Sequence, residues 1–181
     1  MDFTGFAPGH FLAAGIGDAQ VRNRGTLGGS IANNDPAADY PAAALALDAV
    51  IETDRGSHKA DDFFQGMFTT ALAESEIITR VGFTIPQQSS YAKFRHPASR
   101  YAMAGVFVAK SADGSVRVAV TGASEDGVYR HDGLEAALSA DWSASAVDGV
   151  EISSDGLLSD LHGNAEYRAN LIKVMAKRAL G

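Results

Sequence analysis

Small and apolar residues fill positions 5–17, and the chain then turns polar and charged through Asp18-Ala19-Gln20-Val21-Arg22-Asn23-Arg24. This opening lacks the punctuation of a complete domain and reads as the tail of something. Glycine, small and polar residues occupy 25–39. After them Pro41-Ala42-Ala43-Ala44-Leu45-Ala46-Leu47-Asp48-Ala49 predicts a helix, with Asp39 placed to cap it and Pro41 near the first turn, where a missing N–H costs nothing. Val50-Ile51-Glu52-Thr53 is a β-rich run stopped by the hairpin turn Asp54-Arg55-Gly56-Ser57. Asp61-Asp62-Phe63-Phe64 predicts a short helical turn with its aromatics tucked inward. Residues 76–85 form the clearest strand, which Pro86 and the linker-like Gln87-Gln88-Ser89-Ser90 bring to an end. A boundary falls there, separating residues 1–87 from residues 88–181.

In the second half, residues 91–95, 103–109 and 116–120 read as three antiparallel strands, with Ala112-Asp113-Gly114 as the hairpin between the last two. A helix covers 134–138, the serine- and glycine-rich stretch 139–160 is loop with at most one short helix, and Asn164 caps a final helix through Leu180. Tyr167, Leu171, Met175 and Ala179 recur every four residues on that helix, and Lys173, Lys177 and Arg178 lie towards its C-terminus. One face is expected to pack on the sheet. The fold class is α+β.

Composition narrows the functional classes. With 181 residues, 46% of them apolar, the chain can bury a core. Fifteen Lys and Arg against 22 Asp and Glu leave a net charge of −7, so no broad basic surface exists to neutralise nucleic-acid phosphates. The absence of cysteine excludes a disulfide framework, a thiol nucleophile, and thiolate-held zinc or iron–sulfur clusters on this chain. Redox chemistry would need a borrowed cofactor. The first 21 residues hold no Lys or Arg, and the apolar run 11–16 is too short for a secretory segment or a membrane span, so a cytoplasmic location is expected. Nineteen glycines exceed the usual share of about 7%. Some of them are expected where backbone approaches a ligand closely.

Most chemical constellations fail. His10, His58, His96, His131 and His162 never fall three or four residues apart, so no helical metal pair and no HExxH pattern occurs, and no metal site is expected. No G-x-S-x-G elbow exposes a serine; a hydrolase would need a serine or carboxylate beside His96 or His131. Gly15-Ile16-Gly17-Asp18-Ala19-Gln20 begins like a dinucleotide fingerprint but puts Gln20 where the third glycine belongs, and no phosphate-binding P-loop occurs. The run from Arg22 to Asp39 differs in kind. The paired Gly28 and Gly29 let backbone N–H groups approach an anion, Thr26 and Ser30 add hydroxyl donors, and Asn33, Asp35 and Asp39 suit polyol hydroxyls. On the same residues, Gly28-Gly29 also reads as a tight turn, and Asp35 and Asp39 as helix caps.

Val21-Arg22-Asn23-Arg24-Gly25-Thr26-Leu27-Gly28-Gly29-Ser30-Ile31-Ala32-Asn33-Asn34-Asp35-Pro36-Ala37-Ala38-Asp39-Tyr40-Pro41 resembles the second flavin-binding motif of the FAD-carrying medium subunit of aerobic carbon monoxide dehydrogenases and related molybdenum hydroxylases, including the flavin domain of xanthine dehydrogenase. Tyr91-Ala92-Lys93-Phe94-Arg95-His96-Pro97-Ala98-Ser99-Arg100-Tyr101-Ala102 resembles the opening of that subunit's C-terminal domain. Ala165-Glu166-Tyr167-Arg168-Ala169-Asn170-Leu171 resembles its closing helix.

The resemblance implies a flavoprotein subunit that takes electrons from iron–sulfur clusters on a small subunit, themselves supplied by a molybdenum cofactor on a large subunit, and passes them through FAD to an external acceptor. It implies that Thr26, Gly28, Gly29 and Ser30 contact the diphosphate and adjoining flavin atoms, and that Asn33, Asp35 and Asp39 lie along the ribityl and phosphate path. Lys93 would approach the pyrimidine edge, where a cation stabilises reduced flavin, and Tyr101 would lie near the isoalloxazine. For Lys93 a solvated strand lysine is the alternative, and for Tyr101 a core-facing aromatic. No segment resembles the family's earlier A-G-G-H-S-type motif, so this chain is expected to hold an incomplete flavin site and to bind FAD weakly or not at all in isolation. The other reading of the chain is a cofactor-free module that docks on partner subunits.

Overall fold

The computed structural model describes residues 12–181, and the part of the tail-like opening that falls on residues 1–11, with His10, lies outside them. Two short helices, α1 (Ala19–Arg24) and α2 (Leu27–Asn33), lead into α3 (Tyr40–Ala46). A three-stranded antiparallel sheet follows, ordered β2–β1–β5, from β1 (Val50–Thr53), β2 (Ser57–Lys59) and β5 (Ile78–Gly82). Between β2 and β5 lie α4 (Ala60–Phe63) and the small hairpin β3 (Phe64–Gly66) and β4 (Thr69–Thr70). The second half holds an antiparallel sheet of β6 (Gln88–Arg95), β7 (Ala102–Lys110), β8 (Val116–Thr121) and β9 (Tyr129–Arg130), then α5 (Asp132–Ala140), a 3-10 turn at Ala144–Gly149 and α6 (Ala165–Leu180).

Several expectations shift. The second sheet has four strands rather than three: Ala119 and Val120 of β8 pair with Arg130 and Tyr129, a two-residue strand too short to show a period. Ser89 and Ser90 are not linker but β6, in register with Ala109 and Val108. The strand expected over 76–85 is regular only at Ile78–Gly82. Within the glycine-rich stretch, Leu27–Asn33 is a helix, neither an open loop nor a tight turn. Leu27 and Ile31, one helical turn apart, are both buried, and this packing overrides the poor helix propensity of two glycines. Tyr167 is 40% exposed at the edge of the α6 face, its ring 6.3 Å from that of Phe94, while Leu171, Met175 and Ala179 pack as the spacing predicts.

The two-residue period of β7 distributes its side chains between two cores. Ala104, Val106 and Val108 face α6 with Val118 and Val120 of β8, whereas Phe107, Ala109 and Ala119 face the other way, towards α3. Helix α3, with four alanines among its seven residues, is buried from Pro41 to Ala46, which lets it lie close to the sheet. The sheet of the second half therefore forms one wall of the core of the first half. Arg168 on α6 is also buried, 4% exposed, and donates from Nη1 to the carbonyls of Met103 at 2.8 Å and Gly122 at 2.9 Å, and from Nη2 to Asp160 at 2.7 Å.

Candidate functional site

Helix α1 starts at Asp18, whose carboxylate accepts the amides of Gln20 and Val21, and stops at Gly25. A side chain at Gly25 would stand 2.6 Å from the Val21 carbonyl, so glycine permits the sharp joint into α2. Thr26 then caps α2, its hydroxyl accepting the Gly29 amide at 3.0 Å. No acceptor among the described residues meets the amides of Leu27 and Gly28 in the first turn. Thr26, Gly29, Ser30 and Asn33, spaced three and four apart, form one polar face of α2, and all four line a cleft of about 420 Å³. Asp35, Tyr40 and Tyr101 line it too, as do Arg22 and Arg24 from α1.

The segment after α2 is pinned from three directions. Asn34 adopts a left-handed backbone conformation at φ 44° and closes the helix; its Nδ2 donates to the carbonyls of Gly66 and Thr69 in the β3–β4 hairpin. The Thr121 hydroxyl lies 2.9 Å from the Pro36 carbonyl and 2.8 Å from that of Ala38, and the Gly122 amide donates to Pro36 as well. Gly122 has φ +83°, and a Cβ there would meet the Ala102 carbonyl at 2.4 Å, so only glycine serves. Third, Asp39 does not cap α3 with its side chain. It accepts instead from the Tyr91 hydroxyl at 2.5 Å and from Lys93 Nζ at 2.6 Å, and the Asp39 and Lys93 side chains are each only 5% exposed.

Space for this clamp comes from Gly105, the cross-strand partner of Lys93, where a Cβ would fall 2.3 Å from the Tyr91 hydroxyl. Burial, and then the charge of Asp39, push the Tyr91 phenol well above its ordinary range, so it stays a hydrogen-bond donor. Burial, followed by the same carboxylate, also raises Tyr40.

Six of the nine residues singled out by the sequence thus share one cleft: Thr26, Gly29, Ser30, Asn33, Asp35 and Tyr101. Gly28 points elsewhere; a Cβ on it would touch Ile78 at 3.8 Å. Asp39 and Lys93 are paired with each other and do not line the cleft. Sequence reasoning passed over Arg22, Arg24 and Tyr40, although the pair of arginines directly before the glycine-rich stretch was the visible signal. His96 Nδ1 accepts the amides of Ala98 and Ser99, and His131 Nδ1 accepts that of Leu134, so both imidazoles serve as caps. Burial pulls His131 below its ordinary range. Neither imidazole bonds a serine hydroxyl among the described residues. The described residues contain no group of three or more His, Cys, Asp or Glu placed to hold a metal, and no helix long and apolar enough to cross a membrane.

The cleft fits part of a flavin dinucleotide. Hydroxyl and side-chain amide donors and two guanidiniums suit phosphate oxygens and polyol hydroxyls, and the tyrosines add flat apolar surface. Residues 10–88 match the model of the FAD binding domain in molybdopterin dehydrogenase. Over 91% of its length the chain is 36% identical to the nicotine 6-hydroxylase medium subunit of Paenarthrobacter nicotinovorans, covering 62% of it. It is 32% identical to the carbon monoxide dehydrogenase medium chain of Hydrogenophaga pseudoflava, again over 91% of this chain and 62% of the relative. The chain therefore spans less than two thirds of the length of these relatives. Among solved structures, quinoline 2-oxidoreductase from Pseudomonas putida 86 superposes with a TM-score of 0.76 at 28% identity, over 94% of this chain and 64% of that one. Reconstituted CO dehydrogenase from Oligotropha carboxidovorans gives 0.77 at 29%, over 92% and 63%. Residues 10–88 thus match the FAD-binding domain of the molybdopterin dehydrogenases, and over nine tenths of its length the chain is similar to the medium subunits of nicotine 6-hydroxylase and carbon monoxide dehydrogenase.

Proposed function

We propose that the chain serves in the medium subunit of a cytoplasmic molybdenum hydroxylase of the carbon monoxide dehydrogenase type, relaying electrons from iron–sulfur clusters on a small subunit to an external acceptor. In this reading the substrate is oxidised at a molybdenum cofactor on a large subunit. The observation that carries it is the cleft into which one face of α2 presents Thr26, Gly29, Ser30 and Asn33 beside Arg22, Arg24 and Tyr101. FAD, when bound, supplies a centre that links one-electron donors to a one- or two-electron acceptor.

The chain's own residues have distinct tasks. The Ser30 hydroxyl donates to phosphate oxygens, and Arg24 offsets the diphosphate charge. Asn33 and Asp35 bond polyol hydroxyls, while the Tyr101 ring offers a flat wall. Lys93, held by Asp39, is not a free cation at the ligand; the pair acts from behind by fixing residues 35–39, of which Asp35 and Ala38 line the cleft.

The two glycines separate this reading from a general need for glycine. Gly29→Leu fills the cleft and crowds the Thr26 hydroxyl, which a Cβ would approach to 3.0 Å. It is expected to weaken FAD binding at least tenfold, about 1.4 kcal/mol. Gly28→Ala is expected to leave FAD affinity within twofold and to stabilise the helix by about 0.5–1 kcal/mol. Quenching of flavin fluorescence on titration reads both. In the assembled enzyme, Gly29→Leu should leave substrate-driven reduction of the partner clusters intact and stop electron flow to the acceptor. Unimpaired flow to the acceptor would contradict the reading.

A further inference from the structure

A second cleft, of about 370 Å³, adjoins the first and shares Ile16 and Arg22 with it. Gly15 and Gly17 form part of its wall, and the guanidinium-bearing side chains of Arg22, Arg95 and Arg100 line it. None of the three has a carboxylate within ion-pair reach among the described residues, whereas Arg80, Arg117, Arg130 and Arg168 each do. The nearby Asp18 carboxylate is engaged by the amides of Gln20 and Val21. Three unpaired arginines gathered in one hollow repel one another, and in a chain of net charge −7 such a gathering has no general electrostatic cause.

The hollow is also built at some conformational cost. Arg100 sits at φ +63°, the left-handed region that a side chain disfavours, in the turn between β6 and β7. His96 holds that turn, accepting the amides of Ala98 and Ser99 on its ring and that of Arg100 on its carbonyl. Gly17 lets the turn dock, since a Cβ there would strike Arg100 Cβ at 2.6 Å. Arg22 is anchored through Nη1 alone, to the carbonyls of Ile16 and Gly17, which leaves its other nitrogens without acceptors among the described residues.

We propose that Arg22, Arg95 and Arg100 form a binding site for a phosphate-bearing small anion, separate from the flavin cleft beside it. Planar guanidinium forks match phosphate oxygens pairwise, and three positive charges suit a diphosphate better than a single carboxylate. The phosphate groups belong either to a free inorganic anion or to a nucleotide, and the two are told apart by the probes. Pyrophosphate, inorganic phosphate and ADP are titrated calorimetrically into the full chain at about 50 mM salt, where exposed charges are weakly screened.

Saturable binding of pyrophosphate, at least tenfold weaker in Arg95→Gln/Arg100→Gln and unchanged in Gly29→Leu, is the expected result. ADP binding more tightly than pyrophosphate assigns the site to a nucleotide, and equal affinity assigns it to the inorganic anion. Both arginines are exposed, so the double variant should fold; circular dichroism checks this. Absence of saturable binding would overturn the proposal, as would equal loss in Gly29→Leu or displacement of pyrophosphate by FAD, either of which would merge these arginines with the flavin site. Weakened retention of the double variant by its partner subunits, with no anion bound, would make the cleft a protein contact and overturn the proposal too.

Discussion

Asp39→Ala is expected to destabilise the protein by about 3–5 kcal/mol, because it leaves Lys93 as an unpaired charge in the interior. The Lys93 and Asp39 side chains are each 5% exposed, their charged atoms 2.6 Å apart, and Tyr91 loses its acceptor in the same step. Neither partner can turn to water without opening the interface between α3 and the second sheet. Asp39→Leu combined with Lys93→Met and Tyr91→Phe should recover most of the loss, since replacing a buried polar cluster by apolar groups of similar volume is often neutral. Denaturant unfolding measures both. A cost below about 1 kcal/mol for Asp39→Ala, the level of an exposed ion pair, would show that the clamp is not buried in solution.

Arg168→Ala is the second large effect, about 3 kcal/mol or more. Its guanidinium is the partner of two main-chain carbonyls, those of Met103 at the start of β7 and Gly122 just past β8, and of Asp160. Removing it strands those carbonyls and leaves a void between α6 and the sheet. In a chain of this size the loss corresponds to roughly 6–12 °C in Tm. The consequence reaches the cleft, since the Gly122 amide holds the Pro36 carbonyl. Arg168→Lys keeps the charge but not the fork, and is expected to recover less than half. A Tm within about 2 °C of wild type for Arg168→Ala would contradict this.

The residues that were legible in the sequence are those whose partners lie nearby. Asn164 caps α6 through the Tyr167 amide three residues on, and Leu171, Met175 and Ala179 follow the helical repeat. The cleft residues Thr26, Gly29, Ser30 and Asn33 come from one continuous segment, so their common face follows once the segment is helical. That it is helical was hidden, because Gly28 and Gly29 mask the Leu27–Ile31 stripe.

Asp39 was misleading for a different reason. Its place before Pro41 is that of a cap, and nothing local shows that Lys93 on another element will claim it. Arg168 likewise sits among the polar residues that open α6, and its burial follows from the carbonyls at Met103 and Gly122, far along the chain. Arg95 and Arg100 read as surface charges until the β6–β7 turn brings them beside Gly15 and Gly17.

FAD is expected to lie along the polar face of α2, with Asp39 and Lys93 supporting the cleft from outside it. Amide chemical shifts of the isotopically labelled chain, followed by NMR through an FAD titration, test this even where binding is weak. The predicted result is a saturable change centred on Thr26, Gly29, Ser30, Asn33 and Tyr101, with Gly105 and Lys93 moving little. Changes centred elsewhere, for example on the cleft formed by Ser153, Asp155, Glu166 and Lys173, or no change at millimolar FAD, would contradict it.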